Sequence, residues 1–470
     1  MSVIKGIMVP HPPMIVPAVG KGSEKTIELT AGSYEKAADF IVASDPETIV
    51  ISSPHATMYS DYFHISPGKH AAGSFAGFGA PQEKYSIDYD EELVSVIAKL
   101  AEEEGFSAGV DGECDPLLDH GVMVPLYFIK KAYEKAGKEM NCRFVRVGLS
   151  GLSFPEHYRL GQMIAEAADK LERRVAFVAS GDLSHKLKEN GPYGLAPEGP
   201  VYDSKIMDVM GHAGFGELLE FDGRLCDRAA ECGHRSFIIM AGALDGMAVK
   251  QEKLSHEDVT GVGYGVCTYE VTAPDASRKF LDAYKEKQAK KIEKIRSGED
   301  YYLVLARTAL EYYVLTGIVL EIPSDVPKEM LDRKAGAFVS LHKNGELRGC
   351  IGTTGPTRDS LADEIIHNAV SAGIHDPRFS PVRKSELLDL EYNVDVLSDP
   401  EPVASPDELD PKKYGVIVSK EGRRGLLLPD LPGIDTVEEQ LDIAKRKAGI
   451  SPMEAGVKLE RFTVERHGAE

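Results

Sequence analysis

Short apolar runs alternate with longer amphipathic stretches along the first 273 residues. Val3-Ile4 with Ile7-Met8-Val9, Ile49-Val50-Ile51, Arg143–Leu149, Val175–Val178 and Gly261–Val271 have the length and β-branched content of buried strands. Between them, Thr26–Ala43, Glu91–Glu104, Val122–Lys135, His157–Leu171 and Ser236–Gly246 repeat apolar residues at helical spacing. This order predicts an α/β fold, a mostly parallel sheet flanked by helices. From Ala276 to Ser297 the texture changes to a charged run containing KEKQAKKIEKIR, which reads as a solvated helix rather than a binding element. A fresh amphipathic helix, Tyr301–Gly317, comes next. Short strands at Ala335–Leu341, Tyr392–Leu397 and Gly415–Val418, with helices at Asp359–Gly373 and Thr436–Ala448, then predict a second, smaller α+β domain. The expected boundaries are residues 1–273, a charged helical linker over 274–297, and 298–470.

Length agrees with that division, because 470 residues exceed what one ordinary core holds together. A formal charge of -21 argues against a general nucleic-acid or anionic-membrane binder, since both partners reward clustered Lys and Arg. Lys5 and the Pro10, Pro12 and Pro13 cluster interrupt any signal-like stretch at the N-terminus, and no run approaches the ~20 apolar residues of a membrane span. The expectation is a cytoplasmic, homo-oligomeric protein that takes a small-molecule substrate. Its six cysteines, Cys114, Cys142, Cys226, Cys232, Cys267 and Cys350, form no C-x-x-C pair, so neither a zinc ribbon nor an iron–sulfur cluster is signalled.

The chemistry concentrates where strands end. His11, His55 and His185 each come after one of the apolar runs, and ligands of open α/β sheets gather beyond the strand carboxyl ends. Three imidazoles there suit a metal site with an acid/base residue beside it. In Asp119-His120-Gly121, before a helical run, Asp119 or His120 is a candidate helix cap, with the His120 imidazole then facing a cavity. Glu231 and Cys232 precede another buried helix, and two His with one carboxylate is the ligand set of non-haem Fe(II) chemistry. A further histidine outside the ligand set would serve as general base. In the second segment, LRGCIGTTGPT (Leu347–Thr357) is the densest signal. Its spacing is not that of a phosphate loop, and its glycines permit unusual turns or close approaches. Cys350 within it is either a reactive thiol or a packed small hydrophobe, the latter favoured by the burial habit of free cysteine.

At these residues the chain resembles a known family. PHPP around His11, SPH ending at His55, DHG around His120, SGDLSH ending at His185 and the Glu231 region resemble class III extradiol ring-cleavage dioxygenases of the LigB and Memo type, in that family's order. The resemblance implies His11, His55 and Glu231 as Fe(II) ligands, His185 as the acid/base residue and His120 as a second pocket histidine. Other divalent first-row metals suit the same donors. Memo-like relatives carry Cys-Gly in place of the glutamate, and this chain has both, Glu231 and then Cys232-Gly233, so Cys232 stands as the alternative ligand. LRGCIG, NAVSAGIHDPRFSPV (Asn368–Val382) and GLLLPD (Gly425–Asp430) resemble the AMMECR family, with Arg348 and Cys350 as substrate or interface residues. The two-part order resembles AmmeMemoRadiSam system protein A, which implies a radical S-adenosylmethionine protein as partner. The implied function is a metal-dependent reaction on a small aromatic or heterocyclic substrate. The alternatives are a non-catalytic metal-binding or assembly component and an extradiol catechol dioxygenase.

Overall fold

The computed structural model describes residues 2–112, 117–343, 345–431 and 433–468, so Cys114 lies outside the described residues. The chain divides into two compact units, Met1–Lys285 and Glu286–Glu470. The charged stretch forms a helix, Phe280–Ser297.

In the first unit, strands β1 (Val3–Val9), β2 (Thr48–Ser53), β5 (Arg143–Gly148), β6 (Val175–Ser180), β7 (Met247–Glu257) and β8 (Tyr264–Pro274) form one sheet in the order β5-β2-β6-β1-β8-β7. The first four neighbours are parallel, whereas β8 runs antiparallel to β1 and β7 antiparallel to β8. Strands β3 (His70–Phe75) and β4 (Ala80–Asp88) make a separate hairpin. Every residue of β2 and β6 is buried, as expected of strands covered on both faces. Alternate side chains enter two cores. Met8, Val50 and Phe177 join one with the helices α2 (Glu91–Glu104), α4 (Phe154–Lys170) and α6 (His234–Ala243). Ile7, Ile49 and Val178 join the other with α1 (Glu28–Ala43) and α3 (His120–Lys135). Helix α5 (Glu198–Gly211) adds to the first of these cores. A period of two along each strand therefore produces the helix–sheet–helix layering.

The second unit is α+β. Strands β9 (Ala337–Lys343), β10 (Glu346–Gly352), β11 (Leu390–Leu397) and β16 (Val464–His467) form an antiparallel sheet in the order β10-β9-β11-β16, packed with the helices Tyr301–Thr316 and Leu361–Ile374. Glu401–Val403, Gly415–Lys420, Arg423–Leu427 and Lys458–Phe462 make a second sheet beside the helix Val437–Lys447. LRGCIG is a strand here, not a turn. Its glycines serve close packing: a Cβ on Gly349 would lie 2.1 Å from the Ala372 carbonyl oxygen of the covering helix. Among the described residues no helix is long and apolar enough to cross a membrane.

Candidate functional site

Strands β2, β6 and β1 are adjacent and parallel, so the loops leaving their carboxyl ends converge. His55 comes two residues after β2, His11 two residues after β1, and Asp182 and His185 two and five residues after β6. From the far side, His120 opens helix α3 and Cys232 precedes α6. Asp119 caps α3, accepting the Val122 N–H at 3.2 Å and the Ser53 hydroxyl at 2.6 Å, which ties the helix start to the end of β2.

The His11 Nε2 lies 3.1 Å from the His55 Nε2 and 3.6 Å from the Cys232 Sγ. The ligand atoms of these three residues all fall within 4.8 Å of one another. The other face of His11 settles its tautomer. Its Nδ1 is 3.0 Å from the Ser180 Oγ, and that hydroxyl donates to the Gly121 carbonyl at 2.6 Å. With its one proton so used, Ser180 accepts from the His11 Nδ1–H, and in the neutral form of the ring that tautomer leaves the Nε2 as a lone pair directed at His55 and Cys232. His120 completes the group, its ring 4.0 Å from that of His55 and 5.3 Å from that of His11, centroid to centroid. Burial, then the neighbouring His11 and His120, push the His55 imidazole down to about 4, and burial and then His11 lower His120. Both are neutral near pH 7, the state in which imidazole binds a cation. The buried histidines of the core differ: the Nδ1 of His157 is 2.9 Å from the Ser153 carbonyl and its Nε2 accepts the Ser150 N–H, so both nitrogens are spent on backbone.

Glu231 and Cys232 go separate ways. The Glu231 carboxylate accepts the His234 N–H at 2.6 Å at the start of α6, and burial raises its carboxyl to about 7. Cys232 turns into the cluster, where its Sγ accepts the Asp182 N–H at 3.3 Å. Burial raises the thiol well above its ordinary range, with the charges of Asp182 and Glu231 adding to the effect, so the bare side chain is a neutral thiol near pH 7. The Asp182 and Cys232 turns touch backbone to backbone. A Cβ on Gly181 would sit 2.1 Å from the Cα of Gly233. Gly181→Ala should therefore part the two turns and reduce stability by about 1–3 kcal/mol on the usual scale of overpacking; calorimetry showing no fall in the thermal midpoint would contradict this reading of the contact.

Asp182 is a residue that sequence reasoning does not single out, although it lies within SGDLSH. Its Oδ1 accepts the His11 N–H at 2.8 Å, and its Oδ2 is 4.0 Å from the His11 Nε2 and 3.9 Å from the His185 Nε2. Burial alone would raise this carboxyl; the opposing effects of His11 and His185 hold it below the usual range. His185 thus sits beside the cluster through Asp182, and with Asp182 and Cys232 it forms a second close donor group that shares the thiol.

Arg348 and Cys350 belong to the second unit. Arg348 pairs with Glu386 through two hydrogen bonds of 3.0 Å. Asp376 instead accepts the Cys350 N–H at 2.9 Å and pairs with Arg378 at 2.7 Å. Cys350 is half-buried and receives the Ser340 hydroxyl at 3.2 Å. Burial would raise Glu386, but the Arg348 hydrogen bonds and the Lys343 charge bring it from 4.5 down to about 2. Because the folded value is the lower one, the pair's contribution is full above the unfolded value and is lost as the pH falls towards 2. Glu386→Gln should remove stability at pH 7, on the order of 2–3 kcal/mol, and flatten the acid limb between about pH 4.5 and 2. Denaturation midpoints across that range would show it.

Residues 5–267 match the family described as the catalytic LigB subunit of aromatic ring-opening dioxygenase, and residues 303–467 match AMMECR1. A Clostridium acetobutylicum protein, CA_C1420, is 43% identical over 479 aligned residues that cover 99% of each chain. A Thermotoga maritima protein is 57% identical over 171 residues, 36% of this chain and 98% of that one. Among solved structures, that of the uncharacterized protein PH0010 from Pyrococcus horikoshii is 35% identical, covers 36% of this chain and 89% of its own, and has a TM-score of 0.34.

Proposed function

This chain belongs to the LigB family, with an AMMECR1 region after its LigB region, and from that premise we propose that its first unit is a metal-dependent enzyme. His11, His55 and Cys232 would hold the ion, with Fe(II) as the resident metal. The observation that carries this is the pair of Nε2 atoms 3.1 Å apart, one of them a lone pair fixed by Ser180, with a thiol 3.6 Å away. Donors bonded to one first-row ion at roughly 2.0–2.3 Å lie about that far from one another. Bound there, the ion would supply Lewis acidity and open positions for a substrate oxygen or nitrogen.

The substrate class we propose is a small aromatic or heterocyclic compound, and the partner a radical S-adenosylmethionine protein. Both rest on the family resemblance. His185 would accept or return a substrate proton, with Asp182 orienting it while fixing the His11 backbone. His120, neutral and packed on His55, closes the other side of the cluster. The Cys232 thiol specifically favours a second reading, a metal-binding assembly component, because a soft ligand in place of a carboxylate departs from the set that supports oxygen chemistry.

One anaerobic preparation of the full chain separates these. Metal content, proton release on metal addition and turnover with and without the radical protein would be measured. Stoichiometric metal with turnover supports the enzyme; stoichiometric metal without turnover under either condition supports the assembly reading. Absence of metal from the wild type, or its full retention after His11→Ala, would overturn both.

A further inference from the structure

The charged helix Phe280–Ser297 meets the sheet of the second unit beside an open cavity of about 590 Å³, lined entirely by residues of that unit. Ile295 and Leu303 give the lining an apolar side; Lys291, Lys294 and Asn393 give it a polar one. Residues 291–295 fall between the two family matches, 5–267 and 303–467, so this wall belongs to neither family region. Most of the charges around the cavity are already spent. Lys291 bonds Glu391 at 2.9 Å, Arg466 lies 3.5 Å from Asp395, and Asp300 pairs with His467 while capping the helix Tyr301–Thr316. By contrast, among the described residues the Lys294 ammonium and the Asn393 side-chain amide have no hydrogen-bond or ion-pair partner. One uncompensated positive charge calls for one negative charge, and an amide offers both donors and an acceptor. The backbone adds to this. β16 pairs with β11 only from Val394 to Leu397, so on that side Glu391, Tyr392 and Asn393, all lining the cavity, form an edge that no described strand covers. Alternate residues of such an edge turn N–H and C=O groups outward, where a ligand's amide can bond them as an added strand would.

We propose that this cavity binds an N-acylated amino acid, a small carboxylate with an amide beside it. The carboxylate pairs with Lys294, the amide bonds the Glu391–Asn393 edge and the Asn393 side chain, and the ligand's apolar side chain packs on Ile295 and Leu303. A phosphate dianion fits less well, because Asp300 and Glu391 stand in the wall and a single positive charge is left without a partner. The volume falls within the usual range of roughly 300–1,000 Å³ for small-molecule sites, and apolar walls with a few convergent polar groups are their usual construction. The free carboxyl end of a peptide chain carries the same chemistry. Nothing in the site draws on the histidine cluster of the first unit.

Ligand-observed NMR titration of the full chain compares N-acetyl-leucine with N-acetyl-leucinamide, alike except for the charge. The acid should bind, and the neutral amide should bind more weakly. Lys294→Ala should weaken the acid about two- to fivefold, the scale of an exposed ion pair, and leave the amide unchanged. Ile295→Trp, which fills the apolar side, should abolish binding of both, with circular dichroism checking that each variant is folded. An acetylated hexapeptide ending in leucine separates the two sources of the ligand: binding at least as tight as that of the acid assigns the site to chain ends, and no binding restricts it to free acylated amino acids. A wild type that does not bind the acid, equal affinity for acid and amide, or acid binding unchanged by Lys294→Ala would overturn the proposal.

Discussion

At the proposed metal site, Cys232→Ala is expected to abolish metal binding by the first unit, whereas Glu231→Gln is expected to leave metal content at the wild-type level. The two residues are neighbours in sequence and opposites in space. The Cys232 Sγ is 3.6 Å from the His11 Nε2, while the Glu231 carboxylate is bonded to the His234 N–H. Glutamine keeps an acceptor for that N–H, so the substitution at 231 spares the start of α6. Loss of an orienting contact behind a ligand typically costs about 10–100-fold in metal affinity, and loss of the ligand itself should cost more. Ser180→Ala supplies the milder case, because it removes the acceptor that fixes the His11 tautomer and leaves all three donors in place. The expected order of weakening is therefore Cys232→Ala, then Ser180→Ala, with Glu231→Gln unaffected. Competition against a chelator measures it, and a Glu231→Gln protein that loses metal while Cys232→Ala keeps it would return the carboxylate to the ligand set.

What can be read from the sequence, and what cannot, divides along physical lines. The strand-end histidines are legible because buried parallel strands announce themselves as short β-branched runs, and the sheet then carries His11, His55 and His185 to one edge. The direction of a side chain two or three residues before a helix is not legible. Whether Glu231 or Cys232 enters the cluster depends on which of them satisfies an orphan N–H of α6, and either order fits the string of letters. Asp182 escapes notice because a carboxylate in a Gly-Asp turn has a bland role as turn former, and only the fold shows it bridging His11 to His185. The β3–β4 hairpin and α5 are equally hidden. HAAGSF has little β propensity and owes its pairing to context, while Gly199-Pro200 conceals a helix start that tolerates proline in its first turn. LRGCIG reads as a turn because glycine is the commonest sign of one. Here glycine is required by a helix lying close over a strand.

His185→Ala should abolish turnover at nearly unchanged metal content. Its ring lies outside the His11, His55 and Cys232 group, with its Nε2 3.9 Å from Asp182, a ring nitrogen within 4.8 Å of the Cys232 Sγ, and its side chain 22% exposed. In the proposed role of a base acting on bound substrate, its loss should cost about 10²–10⁴-fold in rate, as is common for a positioned acid/base group. Asp182→Asn probes the same arrangement differently. It keeps the shape and an acceptor for the His11 N–H but removes the negative charge 3.9 Å from the His185 Nε2, so turnover should fall at nearly unchanged metal content. Metal content, measured on the same samples, discriminates between the two donor groups that share the thiol. If His185→Ala loses metal with activity, the ion is held by Asp182, His185 and Cys232, and the acid/base role passes to the His55 and His120 side of the cluster.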